Sequence, residues 1–155
     1  MKKYGVIKQE TIAELDVLNG EVVNEWGANL FYMPHGLTID NDENVWITDV
    51  ALHQVMKFNR GNYKTPSLKL GVEFENGNND THLCKPTDIA VSSSNGDVFV
   101  SDGYCNARVV QFDKNGKFIK EFKMNKNEMQ ISISHSVALI EGLNLVCVAD
   151  REHGR

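Results

Sequence analysis

Short runs of alternating apolar and polar residues recur along the chain in one fixed order. Residues 33–58 read MPHGLTIDNDENVWITDVALHQVMKF. An apolar stretch follows Pro34, a polar turn covers 41–44, a second apolar stretch ends in Asp49, and a third comes after it. The outline returns at 85–112, KPTDIAVSSSNGDVFVSDGYCNARVVQF, and begins again at 134–155, SHSVALIEGLNLVCVADREHGR. Counted from Pro34, Pro86 and Ser134, the aspartates Asp49, Asp102 and Asp150 lie 15, 16 and 16 residues on. A period of about 50 residues built from short strands is the sequence signature of a β-propeller blade.

The alternation predicts twelve strands. Residues 11–18 and 21–27 form a hairpin around Asn19-Gly20, a dipeptide that tolerates positive φ. Strands follow at 36–40, 45–50, 54–59 and 67–72, and then at 87–91, 98–102, 108–113 and 118–122. Asn95-Gly96 and Asn115-Gly116 supply turns within the second set. The last two strands lie at 135–140 and 145–150. Residues 1–9 are a lead-in, 73–82 a polar Gly- and Asn-rich loop, and 124–130 a polar linker. No stretch has convincing helical period, and none is of low complexity. Trp46 and Phe99 occupy matched places and are expected in the core.

The expected fold is therefore all-β, with about three blades' worth of a propeller. Residues 10–27 supply the outer strands of one blade, 33–72 and 85–122 are whole blades, and 134–155 are the inner strands of another. Rings need roughly 4–8 blades of four strands. The chain is expected to be a piece of a longer protein, since an open arc leaves strand edges unpaired.

Composition narrows the partners. An apolar fraction of 41% is that of a folded chain. A net charge of −5 without a basic block argues against a nucleic-acid partner. No apolar run approaches the ~20 residues of a membrane span. The N-terminal stretch MKKYGVIKQETIAELD has no apolar core behind its lysines, so it is not a signal peptide.

Candidate chemistry follows from the repeat. His35 comes directly after Pro34, His135 holds the same place after Ser134, and Thr87 holds it in the second repeat. The first strand of each blade lines the central channel, so histidines at its start in alternate blades converge. Three such blades of a six-bladed ring make a three-His zinc site with an open position, of which two ligands are visible here. By spacing alone, two loop histidines without metal is the stronger reading. Tyr104, two residues after Asp102, and Arg151, one after Asp150, face the channel mouth. A tyrosine near an arginine and a metal can serve as a general base, whereas position alone favours a packed tyrosine and a surface arginine. The repetition of Asp49, Asp102 and Asp150 points to turn ties, not to a carboxylate cluster. His53, His82 and His153 fall outside the matched position and are expected at the surface. Taken alone, Cys84, Cys105 and Cys147 read as three reduced thiols. Asn79-Asp80-Thr81 is a glycosylation acceptor if the chain is secreted.

The segments FYMPHGLTID, WITDVALHQV, HLCKPTDIAV, VFVSDGYCNARVVQF and LVCVADREHGR together resemble a known family. They are similar to the peptidyl-α-hydroxyglycine α-amidating lyases, six-bladed propellers of NHL-type repeats, from about residue 28 to the end. The resemblance implies cleavage of peptidyl-α-hydroxyglycine to a peptide amide and glyoxylate. It implies a zinc held by three histidines, His35 and His135 among them, with the third in a later blade. Tyr104 would be the base and Arg151 would line the substrate site, with a further catalytic arginine preceding the chain. A structural calcium would take the Leu37 backbone carbonyl. Ser134 departs from the family pattern, which has Pro there. The resemblance also implies a Cys84–Cys105 disulfide, an unpaired Cys147, a secretory or extracellular location in which Asn79 would be glycosylated, and a fused or separate hydroxylating monooxygenase as partner. With ligands and blades missing, these residues alone are expected to be inactive. The competing reading is a non-catalytic NHL-repeat module that binds protein or nucleic acid. It explains the repeats and the aspartates, but not the matched His35 and His135 or the DGYC and ADRE motifs.

Overall fold

The computed structural model describes residues 5–123 and 132–155. The first four residues of the lead-in and the whole 124–130 linker lie outside the described residues. Among the described residues, twelve strands occur in chain order. They are β1 (Ile12–Leu15), β2 (Val22–Trp26), β3 (Pro34–Ile39), β4 (Val45–Asp49), β5 (Gln54–Phe58), β6 (Leu68–Leu70), β7 (Asp88–Val91), β8 (Val98–Asp102), β9 (Arg108–Phe112), β10 (Phe118–Phe122), β11 (Ser134–Ile140) and β12 (Leu145–Asp150). They pair as four antiparallel sheets, β1-β2, β3-β4-β5-β6, β7-β8-β9-β10 and β11-β12. The chain is all-β and of the propeller type, and the strand count of two, four, four and two agrees with the alternation.

The first and sixth strands fall furthest short of their predicted lengths. The first stops at Leu15 because Asp16 starts a turn: its carboxylate accepts the Leu18 amide at 2.8 Å and its carbonyl accepts the Gly20 amide at 2.8 Å. The apolar residues Val17 and Leu18 thus sit at the hairpin tip in solvent. The sixth strand ends at Leu70 because Gly71 takes φ +86 and runs hard against the His53 carbonyl, an approach that leaves no room for a Cβ.

The core lies in the seams between sheets. The central strands β4 and β8 are buried along their whole length. Trp46, Val55 and Leu70 of one sheet meet Ile89, Val98, Val100, Val110 and Phe112 of the next. Trp26 and Phe31 pack on Val45, Ile47, Met56 and Phe58, and Trp26 stacks on Tyr63 with centroids 4.5 Å apart. Phe99 and Val109 meet Val137 across the third seam. Each such side chain contributes about 1.5–3 kcal/mol on burial, so the seams fix how the inner strands β3, β7 and β11 lie side by side. Trp46 and Phe99 are core residues as their matched places predict.

The repeated aspartates are buried turn ties. Asp49 accepts the Tyr32 and Met33 amides on one oxygen and the Ala51 and Leu52 amides on the other, at 2.7–2.9 Å. Asp102 accepts the Cys84 amide at 2.7 Å, the Asn106 amide group at 2.6 Å and Arg108 Nε at 2.9 Å. Asp150 accepts the Ser132 and Ile133 amides and His153 Nδ1. Burial pushes the Asp150 carboxyl up, but His153 and the two amides outweigh it and hold it at about 2.

Candidate active site

The site sits where the starts of β3 and β11 meet the loop that follows β8. His35 occupies the second position of β3, and its Nδ1–H donates to the Thr87 carbonyl at 2.7 Å. A carbonyl can only accept, so this bond puts the proton on Nδ1 and leaves a lone pair on Nε2. That Nε2 lies 3.0 Å from the Tyr104 hydroxyl. His135, the second residue of β11, brings its own Nε2 to 3.2 Å from the same hydroxyl. The three rings meet edge to face, with the two imidazole centroids 5.2 Å apart. Tyr104 thus stands between two imidazole nitrogens that converge on one point.

Arg151 leaves the end of β12 through a 3-10 turn, Arg151–His153. Its guanidinium carbon lies 5.5 Å from the centre of the Tyr104 ring, and it pairs with Glu152 at 2.8 Å. The hydrogen bond to Glu152, and then the neighbouring Tyr104, keep it firmly charged. Burial, followed by the neighbouring His35 and Arg151, holds the His135 imidazole below its ordinary value against the pull of Asp88. A neutral imidazole is the form that binds metal.

Two supports hold the Tyr104 loop. Cys105 is joined to Cys84 by a disulfide, tying the loop to the segment that enters β7. Arg108, buried behind it, pairs with Asp102 and Glu121 at 2.9 Å and donates to the Asn78, Asn79 and His82 carbonyls. Burial pushes the Asp102 carboxyl above its ordinary value, against the pull of Asn106, the Cys84 amide and Arg108.

The other candidates are scattered. Leu37 is half-exposed on β3, an edge strand of its sheet. Asn79 is exposed, and its side-chain oxygen accepts from the Thr81 amide and hydroxyl and from the His82 amide. Cys147 is an exposed free thiol on β12. His153 is at the surface, but His53 and His82 are partly buried. His53 accepts the Lys85 amide at 3.1 Å, and burial together with Lys85 holds its imidazole low against Asp102 and Asp49. Matched spacing could not reveal such a role, because it depends on how neighbouring sheets meet. Thr87, Asp88 and Arg108 also serve the site without a signal of their own, apart from Thr87 holding the repeat position of the histidines.

Two histidines whose Nε2 atoms converge would suit part of a zinc set. Among the described residues, no group of three His, Cys, Asp or Glu side chains gathers to hold a metal. One carbonyl at Leu37 falls far short of the 6–8 oxygen ligands of calcium.

The NHL repeat family matches the chain at residues 31–58 and 83–112, the first three strands of each four-stranded sheet and the segments entering them. Over nearly its whole length the chain is similar to proteins named as peptidyl-alpha-hydroxyglycine alpha-amidating lyases and peptidylglycine alpha-amidating monooxygenases. It is 46% identical to peptidyl-alpha-hydroxyglycine alpha-amidating lyase 2 of Drosophila melanogaster over 99% of this chain and 37% of the fly protein. It is 46% identical to a probable lyase of the same name from Caenorhabditis elegans, over 99% of this chain and 44% of that one. It is 48% identical to the peptidylglycine alpha-amidating monooxygenase of Rattus norvegicus over 97% of this chain and 16% of the rat protein. The chain thus spans less than half the length of these relatives. Among solved structures, virginiamycin B lyase from Staphylococcus aureus superposes with a TM-score of 0.53 at 18% identity, covering 76% of this chain and 34% of that one. This likeness supports the fold alone. No helix among the described residues is long and apolar enough to cross a membrane.

Proposed function

We propose that this chain carries part of the active site of a peptidylamidoglycolate lyase, which cleaves peptidyl-α-hydroxyglycine to a peptide amide and glyoxylate. The observation that carries this reading is the Tyr104 hydroxyl held between His35 Nε2 and His135 Nε2. Zinc bound by His35, His135 and a third ligand would act as a Lewis acid on the substrate hydroxyl. Tyr104, as phenolate, takes the hydroxyl proton. The C–N bond then breaks, its electrons leave with nitrogen, and the aldehyde carbonyl of glyoxylate forms. The proton taken by Tyr104 passes to the nitrogen, so the balance is one bond broken and one proton moved. Arg151, whose guanidinium carbon lies 5.5 Å from the centre of the tyrosine ring, would receive the substrate carboxylate.

Leu37 is one carbonyl donor to a structural calcium in this reading. The substrate would come from a hydroxylating monooxygenase, fused or separate. The Cys84–Cys105 disulfide supports an oxidising compartment, where Asn79 would carry a glycan. Glyoxylate release tests the proposal. The chain alone is expected to release none, and the chain joined with the remaining blades of a lyase is expected to be active. In that assembly Tyr104→Phe should lower turnover about 10²–10⁴-fold. Unchanged turnover in the variant would remove Tyr104 from the chemistry. A non-catalytic binding module would bind no zinc and release no glyoxylate in either form.

A further inference from the structure

The repeat position that holds His35 on β3 and His135 on β11 holds Thr87 at the entrance to β7. Thr87 is buried, and its polar atoms reach across both seams. Its carbonyl accepts the His35 Nδ1–H at 2.7 Å and lies 3.3 Å from the Thr48 hydroxyl. Its hydroxyl lies 3.0 Å from the Ser101 carbonyl and 2.9 Å from the Ser134 carbonyl. A hydroxyl has one proton to donate. The Ser101 carbonyl already receives the Thr87 amide at 2.8 Å, and the Ser134 carbonyl is the nearer of the two acceptors, so the hydroxyl proton goes to Ser134. Ser134 directly precedes His135.

Two glycines allow these approaches. A Cβ on Gly36, next to His35, would stand 2.5 Å from the Thr87 carbonyl oxygen. A Cβ on Gly103, next to Tyr104, would overlap the Ser134 carbonyl oxygen. Asp88 adds a second tie across the same seam, accepting the Ser136 hydroxyl at 2.5 Å and the Val137 amide at 3.0 Å. His35 is therefore tied to the Thr87 carbonyl and the strand of His135 to the Thr87 hydroxyl, while Gly103 seats Tyr104 against the same Ser134 carbonyl.

We propose that Thr87 is a positioning residue. Its carbonyl orients His35, its hydroxyl holds the strand that carries His135, and the two together set the spacing at which both imidazoles meet Tyr104. The consequence for metal binding rests on the zinc reading above, while the consequence for ring geometry does not. A Thr87 that merely satisfied buried polar atoms would affect stability and leave the rings where they are.

The test uses Thr87→Val and Thr87→Ser variants of the protein with two readouts. One is the set of nuclear Overhauser contacts between the Tyr104 ring and each imidazole in metal-free protein. The other is zinc affinity, measured by competition with a chromophoric chelator. Thr87→Val is expected to lose the Tyr104–His135 contacts, keep the Tyr104–His35 contacts, and bind zinc at least tenfold more weakly than the parent while folded. Thr87→Ser, which keeps the hydroxyl, should restore both. A folded Thr87→Val with unchanged ring contacts overturns the proposal. If Thr87→Val fails to fold, Thr87→Ser decides alone: a folded serine variant that loses the His135 contacts overturns it equally. A parent protein that binds no zinc defeats the zinc reading, and the ring contacts still decide the role of Thr87.

Discussion

The corner that closes on Asp49 and the corner that closes on Asp102 hold the same place in successive repeats, yet they are tied differently. Asp49 spends both oxygens on four backbone amides, two of them in its own loop at Ala51 and Leu52. Asp102 accepts one backbone amide, from Cys84, and gives its other oxygen to the side chains of Asn106 and Arg108. The Tyr104 loop is therefore not wound onto its aspartate. It is held from outside, by a disulfide, a buried guanidinium and the Ser134 strand. A turn that serves only the fold can be built from backbone, because any sequence supplies amides. A turn that must present one side chain at one point draws its constraints from side chains instead.

The contrast can be broken at its strongest member first. Arg108→Ala leaves Asp102 buried without its cation, and the expected loss is about 3–5 kcal/mol in urea unfolding. A loss no larger than that of a surface arginine would mean that the ion pair is not what holds this corner. Asp49→Asn turns an acceptor oxygen into a donor facing amide donors, for an expected loss of about 1–3 kcal/mol. That variant should leave the Tyr104 ring contacts unchanged in the folded protein, whereas Arg108→Ala should alter them. Gln54 stands opposite Asp49 in the register as Arg108 stands opposite Asp102. Its Oε1 is buried with no partner, while its Nε2 donates to the Gly71 carbonyl. Losing a satisfied donor and an unsatisfied acceptor together nearly cancels, so Gln54→Leu should change stability by less than about 1 kcal/mol. A large loss there would show that the two corners share one design after all.

Much of this frame is legible in the chain. Alternation locates all twelve strands, because most of them bury one face or both and the period of two survives in the letters, although β2 is exposed as far as Trp26. It misplaces the end of β1, because Val17 and Leu18 look like strand residues and only the Asp16 turn explains their exposure. His35 and His135 stand out because their places match, and Tyr104 because of the motif around it. Arg108 could not be seen in this way. A single arginine opening a strand reads as a surface charge, and its burial follows only once the 73–82 loop has folded over it. Thr87 was visible as an exception to the histidine pattern, but its partners come from two other sheets and leave no trace in local spacing.

The disulfide carries a consequence for where such a molecule can work. Cys105 is the residue directly after Tyr104, and its bond to Cys84 spans 21 positions of sequence. Opening it would leave every side chain of the site in place chemically and remove one of the three holds on the Tyr104 loop. A reductant of that bond, touching no atom that meets substrate, would thus loosen how the hydroxyl is aimed. The oxidation state of the surroundings becomes part of the site's focus.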